Sequence, residues 1–204
     1  MKNNKPAFDD YVNAVRRALT KHGRVVCLVG MMGCGKSAIG RILSQWLDCP
    51  LLDADKEIER AAGRSITEIF QQYGEDSFRK GELAVISRLL KQASHPAILS
   101  TGGGAFIQPE TRSSLLEYGL CLWIKADFNV LWPRLQRKTN RPLLQQPNPQ
   151  QVLKDLLVAR DPFYEAAHIM VESDDIERDE MAMRILYALG DYLGVAYPIL
   201  ASDP

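Results

Sequence analysis

Neither sign of charge is in excess in this chain of 204 residues: 25 lysines and arginines balance 25 aspartates and glutamates. Proteins that bind nucleic acid usually carry a basic surplus or stripe, and the absence of both argues against a nucleic-acid partner. No apolar run approaches the ~18 residues of a membrane span, so no membrane role is expected. The opening residues, MKNNKPAFDDYV, lack the apolar stretch of a signal peptide. Cysteine is scarce, and Cys27, Cys34, Cys49 and Cys121 show neither CxxC spacing nor a nearby histidine. A zinc site is thereby disfavoured, and reduced thiols in a cytoplasmic protein are the expectation. Repeats and low-complexity tracts are also missing.

What remains is ordinary globular material, 46% hydrophobic and 25% charged, long enough for one medium domain with a substantial core. Strands are predicted at 24–29 (RVVCLV), 50–53 (PLLD), 96–101 (PAILST), 120–125 (LCLWIK) and 168–172 (HIMVE). Helical patterns separate them. Ile39, Ile42, Leu43, Trp46 and Leu47 form one apolar stripe, and Leu83, Ile86, Leu89 and Leu90 another on a helix over roughly 75–93. Ser65 and Glu68 make a capping box, with Gly74 as a stop. Asn148-Pro149 and Asp161-Pro162 read as two later helix starts. Pro133 falls inside a helix expected at 127–138 and predicts a kink or early end there. Such alternation indicates an α/β fold with a parallel sheet covered on both faces, whose ligands gather beyond the carboxyl ends of the strands.

Two segments stand outside this pattern. Residues 1–23 read as an amino-terminal helical extension before a domain of 24–204; Phe8, Val12, Val15 and Leu19 share its apolar face and Gly23 ends it. That face is expected to pack on the domain, in a monomer. Residues 137–151, RKTNRPLLQQPNPQQ, are polar and proline-rich and read as a mobile lid.

The strongest chemical signal is GMMGCGKS at 30–37, directly after the first strand. Its spacing, Gly-x-x-x-x-Gly-Lys-Ser, arises by chance in about one chain in a hundred of this length. Backbone N–H groups of such a loop cradle phosphates, Lys36 reaches the β- and γ-phosphates, and the Ser37 hydroxyl ligates Mg²⁺. The following helix adds its positive N-terminal end. Cys34 reads as a small residue filling an unconstrained position.

On the acceptor side, Asp53-Ala54-Asp55 closes the second strand. Those carboxylates suit a hydrated Mg²⁺ and a reacting hydroxyl, but Asp55 equally suits the cap of the next helix. Gly102-Gly103-Gly104 ends the third strand, where backbone can approach a ligand closely. Arg79, Arg141 and Arg160 are each, taken singly, ordinary surface residues. The residues alone stop at a P-loop phosphotransferase whose acceptor is unidentified.

GMMGCGKSAIGR, LLDADKEIE, SITEIFQQYGEDSFRKGE, TGGGA, RPLL and ARDPFYEAA, in this order, resemble shikimate kinase over roughly 25–190. The resemblance implies a nucleoside-monophosphate-kinase-like fold with a five-stranded parallel sheet. It implies transfer of the ATP γ-phosphate to the 3-hydroxyl of shikimate, towards chorismate and aromatic amino acids. Carried over by motif, Gly33, Cys34, Gly35, Lys36, Ser37 and Ala38 would hold ATP, with Ser37 on Mg²⁺ and Asp53 in its outer shell. Asp55 would meet the reacting hydroxyl, Arg79 and Arg160 the carboxylate, and Gly103 the substrate. Arg141 would reach the ATP phosphates and Arg134 the adenine, near the loop ESDDIE at 172–177. Ala38 stands where members often carry threonine, with Ser37 retained as the metal ligand.

Three other readings compete. A gluconate kinase would lack the combination of Asp55, Arg79 and Arg160. A GTP-dependent switch needs an Asn-Lys-x-Asp signature, which is absent from the sequence. A non-catalytic nucleotide-binding module would not need Lys36, Ser37 and Asp55.

Overall fold

The computed structural model describes residues 5–136 and 147–197. Five parallel strands run β1 Val25–Val29, β2 Leu51–Asp53, β3 Ile98–Ser100, β4 Gly119–Lys125 and β5 Ile169–Glu172. They form one sheet in the order β2-β3-β1-β4-β5. In β1 the pleat sends Val26 and Leu28 to one buried cluster and Val25, Cys27 and Val29 to the other. β4 does the same, with Leu120, Leu122 and Ile124 opposed to Cys121 and Trp123. Burial on both faces explains why these strands read as continuous apolar runs.

Helices α1 (Lys5–His22), α2 (Lys36–Trp46), α6 (Phe128–Gln136) and α8 (Arg178–Tyr192) contribute buried residues to the first cluster. α3 (Ala54–Ala62), α4 (Ile66–Gln92) and α5 (Pro109–Tyr118) serve the second, and α7 (Pro149–Tyr164) gives Leu153 to the first and Tyr164 to the second. The apolar stripe of α1 packs on the domain: Tyr11, Val12, Val15 and Leu19 are buried. Phe8 meets the edge of Trp46 on α2 at 5.3 Å, and Arg16 reaches Asp48 at 3.2 Å. Gly23 ends the helix with φ 71°.

The Ser65–Glu68 capping box is formed. Gly74 breaks α4 with φ 78°, as its position predicts. Two proline expectations are corrected, the helix start at Asp161-Pro162 and the early end at Pro133. α7 is one helix that runs through Asp161-Pro162 to Tyr164, and α6 continues through Pro133 to Gln136. Each proline deprives the carbonyl four residues earlier of a partner, and those residues, Val158 and Asn129, are exposed. Water can take the missing donor's place, so the helix survives. The lid reading is trimmed too, since Pro149, Gln150 and Gln151 begin α7. Of the remaining lid residues, 137–146 lie outside the described residues.

His168, just before β5, offers a stability prediction. Its Nδ1 accepts the backbone N–H of Cys121 at 3.0 Å, which requires a neutral acceptor nitrogen. Burial, then Arg24 and His22, hold its pKa below the ordinary value. A depressed histidine favours folding above its unfolded pKa of about 6.5, and the gain disappears as pH falls through the folded value. Urea unfolding midpoints of wild type should therefore drop more between about pH 7.5 and about pH 5 than those of His168→Asn, whose amide oxygen accepts without titrating. Parallel pH dependences would contradict this role.

Candidate functional site

The loop between β1 and α2 turns on glycines with φ of 135° at Gly30, 86° at Gly33 and 102° at Gly35. These left-handed values favour glycine. At Gly30 a Cβ would also lie 2.6 Å from the Ile124 carbonyl oxygen. Gly35 caps α2 and brings no side chain to the first N–H groups of that helix. Those groups lie at the positive end of the helix dipole, which favours an anion there. Lys36 is buried with its Nζ on the carbonyls of Gly30 (2.7 Å) and Met31 (3.0 Å), and 3.7 Å from the Cys34 sulfur. Cys34 itself is fully buried, as a packing residue would be. Ala38 follows in the first turn of α2.

Ser37 is exposed, and its hydroxyl meets Ser100 Oγ at 3.0 Å. Ser100 ends β3 and pairs in register with Asp53 at the end of β2. A row Asp53–Ser100–Ser37 therefore crosses three neighbouring elements at the carboxyl edge of the sheet. Asp53 also caps α3, accepting the Lys56 N–H at 3.3 Å. The capping alternative for Asp55 is thus corrected: Asp53 does that work, and Asp55 lies within the first turn of α3.

The glycine triplet receives these side chains at close range. A Cβ on Gly102 would lie 2.8 Å from Asp55 Oδ1 and 3.2 Å from Glu82 Oε1. On Gly103 it would be 2.9 Å from the Met32 nitrogen, and on Gly104 2.6 Å from an Arg79 nitrogen. No larger residue fits without displacing backbone or charged groups. Arg79 is held by Glu82 at 2.7 Å and by Glu75 at 3.0 Å. Glu82 is only 1% exposed, and burial pushes its carboxyl up, Arg79 pulls it down, and Asp55 pushes it up. Arg160, on α7, points its Nη1 at the Met31 sulfur, 3.9 Å away. Tyr164, one turn on, donates its hydroxyl to the Gly103 carbonyl. Burial pushes that phenol up, Arg160 pulls it down, Cys34 and Asp161 push it up, and Arg79 again pulls it down. The two arginines come from distant parts of the chain: Arg160 lies one turn before Tyr164 on α7, and Arg79 lies against Gly104, next to the Gly103 carbonyl that Tyr164 holds.

Arg134 on α6 donates to the Asp174 carbonyl at 3.1 Å and comes within 4.0 Å of Asp175. It thereby meets the loop after β5. Arg141 lies outside the described residues. Glu82, Ser100 and Tyr164 were not legible as site residues. Glu82 alone had a local signal, standing four residues after buried Phe78 and three after Arg79. Among the described residues, no cluster of three or more His, Cys, Asp or Glu could hold a metal ion.

Comparison with known proteins agrees with this geometry. The family described as shikimate kinase matches residues 32–190. A relative from Cereibacter sphaeroides named shikimate kinase is 47% identical over 174 residues, 85% of this chain and 86% of that protein. The solved shikimate kinase of Acinetobacter baumannii in complex with shikimate superposes with a TM-score of 0.76 at 38% identity, covering 82% of this chain and 94% of the other. That of Aquifex aeolicus gives 0.72 at 33% identity, covering 83% and 99%. With the cradle, the five-stranded sheet and most of the length in common, the chain belongs to the shikimate kinase family.

Proposed function

We propose that the site divides into a phosphate-donor half around the β1–α2 loop and an acceptor half around the glycine triplet. The chain is an ATP-dependent small-molecule kinase of the shikimate pathway. It transfers the γ-phosphate of ATP to the 3-hydroxyl of shikimate, giving shikimate 3-phosphate and ADP. The observation that carries the division is the meeting of Asp55, Glu82, Arg79 and Met32 on three consecutive glycines, next to the loop that bears Lys36.

In the donor half, the backbone from Gly33 to Ala38 wraps the phosphates. Lys36 exchanges its carbonyl partners for phosphate oxygens and neutralises charge that spreads over the transferring group. Mg²⁺ fits this half. Ser37 presents an exposed hydroxyl, Asp53 stands beside Ser100 as an outer-shell carboxylate, and Mg²⁺ ordinarily keeps several waters and few protein ligands. When bound, the ion supplies positive charge at the β- and γ-phosphates. Arg134 would cover the adenine side, and Arg141, outside the described residues, would complete the phosphate contacts.

In the acceptor half, Asp55 orients the hydroxyl and accepts its proton. Arg79 and Arg160 take the carboxylate as bidentate donors, and Gly103 lets the ring approach the backbone. A monomer acting in the cytoplasm on small molecules accounts for the balanced charge and for the internal use of the apolar face of α1. Among the described residues no helix is long and apolar enough to cross a membrane.

The test is an ADP-release assay across shikimate, gluconate and nucleoside monophosphates, followed by Arg79→Lys and Arg160→Lys. Leaving a carboxylate half-paired costs on the order of 2–5 kcal/mol. Each variant should lower kcat/KM for shikimate by about tenfold or more, with ATP affinity little changed. An analogue lacking the carboxylate should be a poor acceptor and lose much less on either substitution. Equal sensitivity of the two acceptors would mean that the arginines do not read the carboxylate.

A further inference from the structure

Tyr164 is a full side chain with 0% exposure, and it is the place where three parts of the site meet. Its ring stacks near-parallel on Phe106 (6.1 Å, 12°) and on Trp123 (5.7 Å, 23°), geometries in the attractive offset range. Phe106 belongs to the 3-10 turn Ala105–Ile107 that follows the glycine triplet, and Trp123 to β4. These contacts fix the ring plane and leave the phenol oxygen aimed at the Gly103 carbonyl, to which it donates. Gly103 in turn lies against the Met32 nitrogen, and Met31 faces Arg160. Arg160 precedes Tyr164 by four residues on α7, one helical turn, so the two side chains share a face of that helix. A hydrogen bond from one turn of α7 therefore sets the height and rotation of the next turn over the glycine loop.

We propose that Tyr164 is a positioning residue for the acceptor: its hydroxyl locks α7 to Gly103 and so fixes the distance between the Arg160 guanidinium and the glycine-loop backbone. The inference rests on reading Gly103 and Arg160 as parts of the acceptor half. A carboxylate-bearing ring held at one end by Arg160 and at the other by backbone is sensitive to that distance. ATP, which this reading places on the backbone from Gly33 to Ala38, does not span that distance.

Tyr164→Phe removes one oxygen and keeps the stacked ring. Losing the lock should raise KM for shikimate roughly fivefold or more while KM for ATP and kcat at saturation stay within about twofold. Leu19→Ala, in the core on the opposite face of the sheet, is the stability control: its Tm should fall with both KM values unchanged. If Tyr164→Phe also lowered Tm but left KM for shikimate within about twofold of wild type, the hydroxyl would be structural and the proposal overturned. Should Tyr164→Phe fail to fold, Phe106→Leu takes its place. Loosening the ring while keeping the hydroxyl should raise KM for shikimate selectively, and unchanged KM values would overturn the proposal equally. Arg160→Lys in the same series separates the two readings. A strong effect there with none at Tyr164 removes only the positioning role, whereas no effect at Arg160 removes the acceptor assignment beneath it.

Discussion

Lys36→Ala is expected to lower kcat by about 100-fold or more, the usual loss when a charge aimed at a reacting group is removed. The structure adds a complication that the variant must address. The ammonium bridges the Gly30 and Met31 carbonyls, so the lysine also braces the loop it serves. Lys36→Met keeps the aliphatic stem in a site that leaves the residue 7% exposed. Alanine and methionine should lose turnover about equally if the missing charge is responsible, and differ if packing is. Near-normal turnover in either folded variant would remove the cradle from the mechanism.

Asp55→Asn should lower kcat by about 100-fold, the lower end of what a general base contributes, with ATP affinity retained. The amide is nearly isosteric, yet it cannot take a proton, and it turns a donor towards the hydroxyl. The cap of α3 should survive the substitution, because Asp53 and not Asp55 makes it. Asp53→Ala is the converse case and should cost about 1 kcal/mol of stability through the lost cap. Steady-state kinetics with kcat unchanged in Asp55→Asn would make Asp55 a bystander.

The elements were legible wherever one local rule governed them. The strands β1 and β4 announced themselves because burial on two faces demands unbroken apolar runs. Ser65 with Glu68, and the glycines at 23 and 74, mark ends that local hydrogen bonding and φ decide. Apolar periodicity misled on α4. It counted Leu83 with Ile86, Leu89 and Leu90, whereas the face that turns inward runs Phe78, Glu82, Val85, Ile86, Leu89 and Leu90. A carboxylate on that face is invisible to a pattern that scores only hydrophobicity, and it is tolerated because Arg79 pairs with it. The helix start at Asp161-Pro162 and the early end at Pro133 failed for a related reason: local rules price the lost donor without knowing whether water reaches the carbonyl.

By itself, then, the sequence determined the parallel α/β sheet and the phosphate cradle. Both follow from short-range geometry: alternating elements, and glycines where the backbone must turn with its N–H groups inward. Tertiary structure alone decided which of two neighbouring carboxylates caps α3. Pairing of Asp53 with Ser100 ends β2 there, so the helix begins at Ala54 and frees Asp55 from the cap position. It also decided that Arg79 and Tyr164 meet at the glycine triplet, with Arg160 beside them on Met31. Their meeting depends on how α4 and α7 pack against the sheet edge, a relation between distant segments that no local spacing encodes.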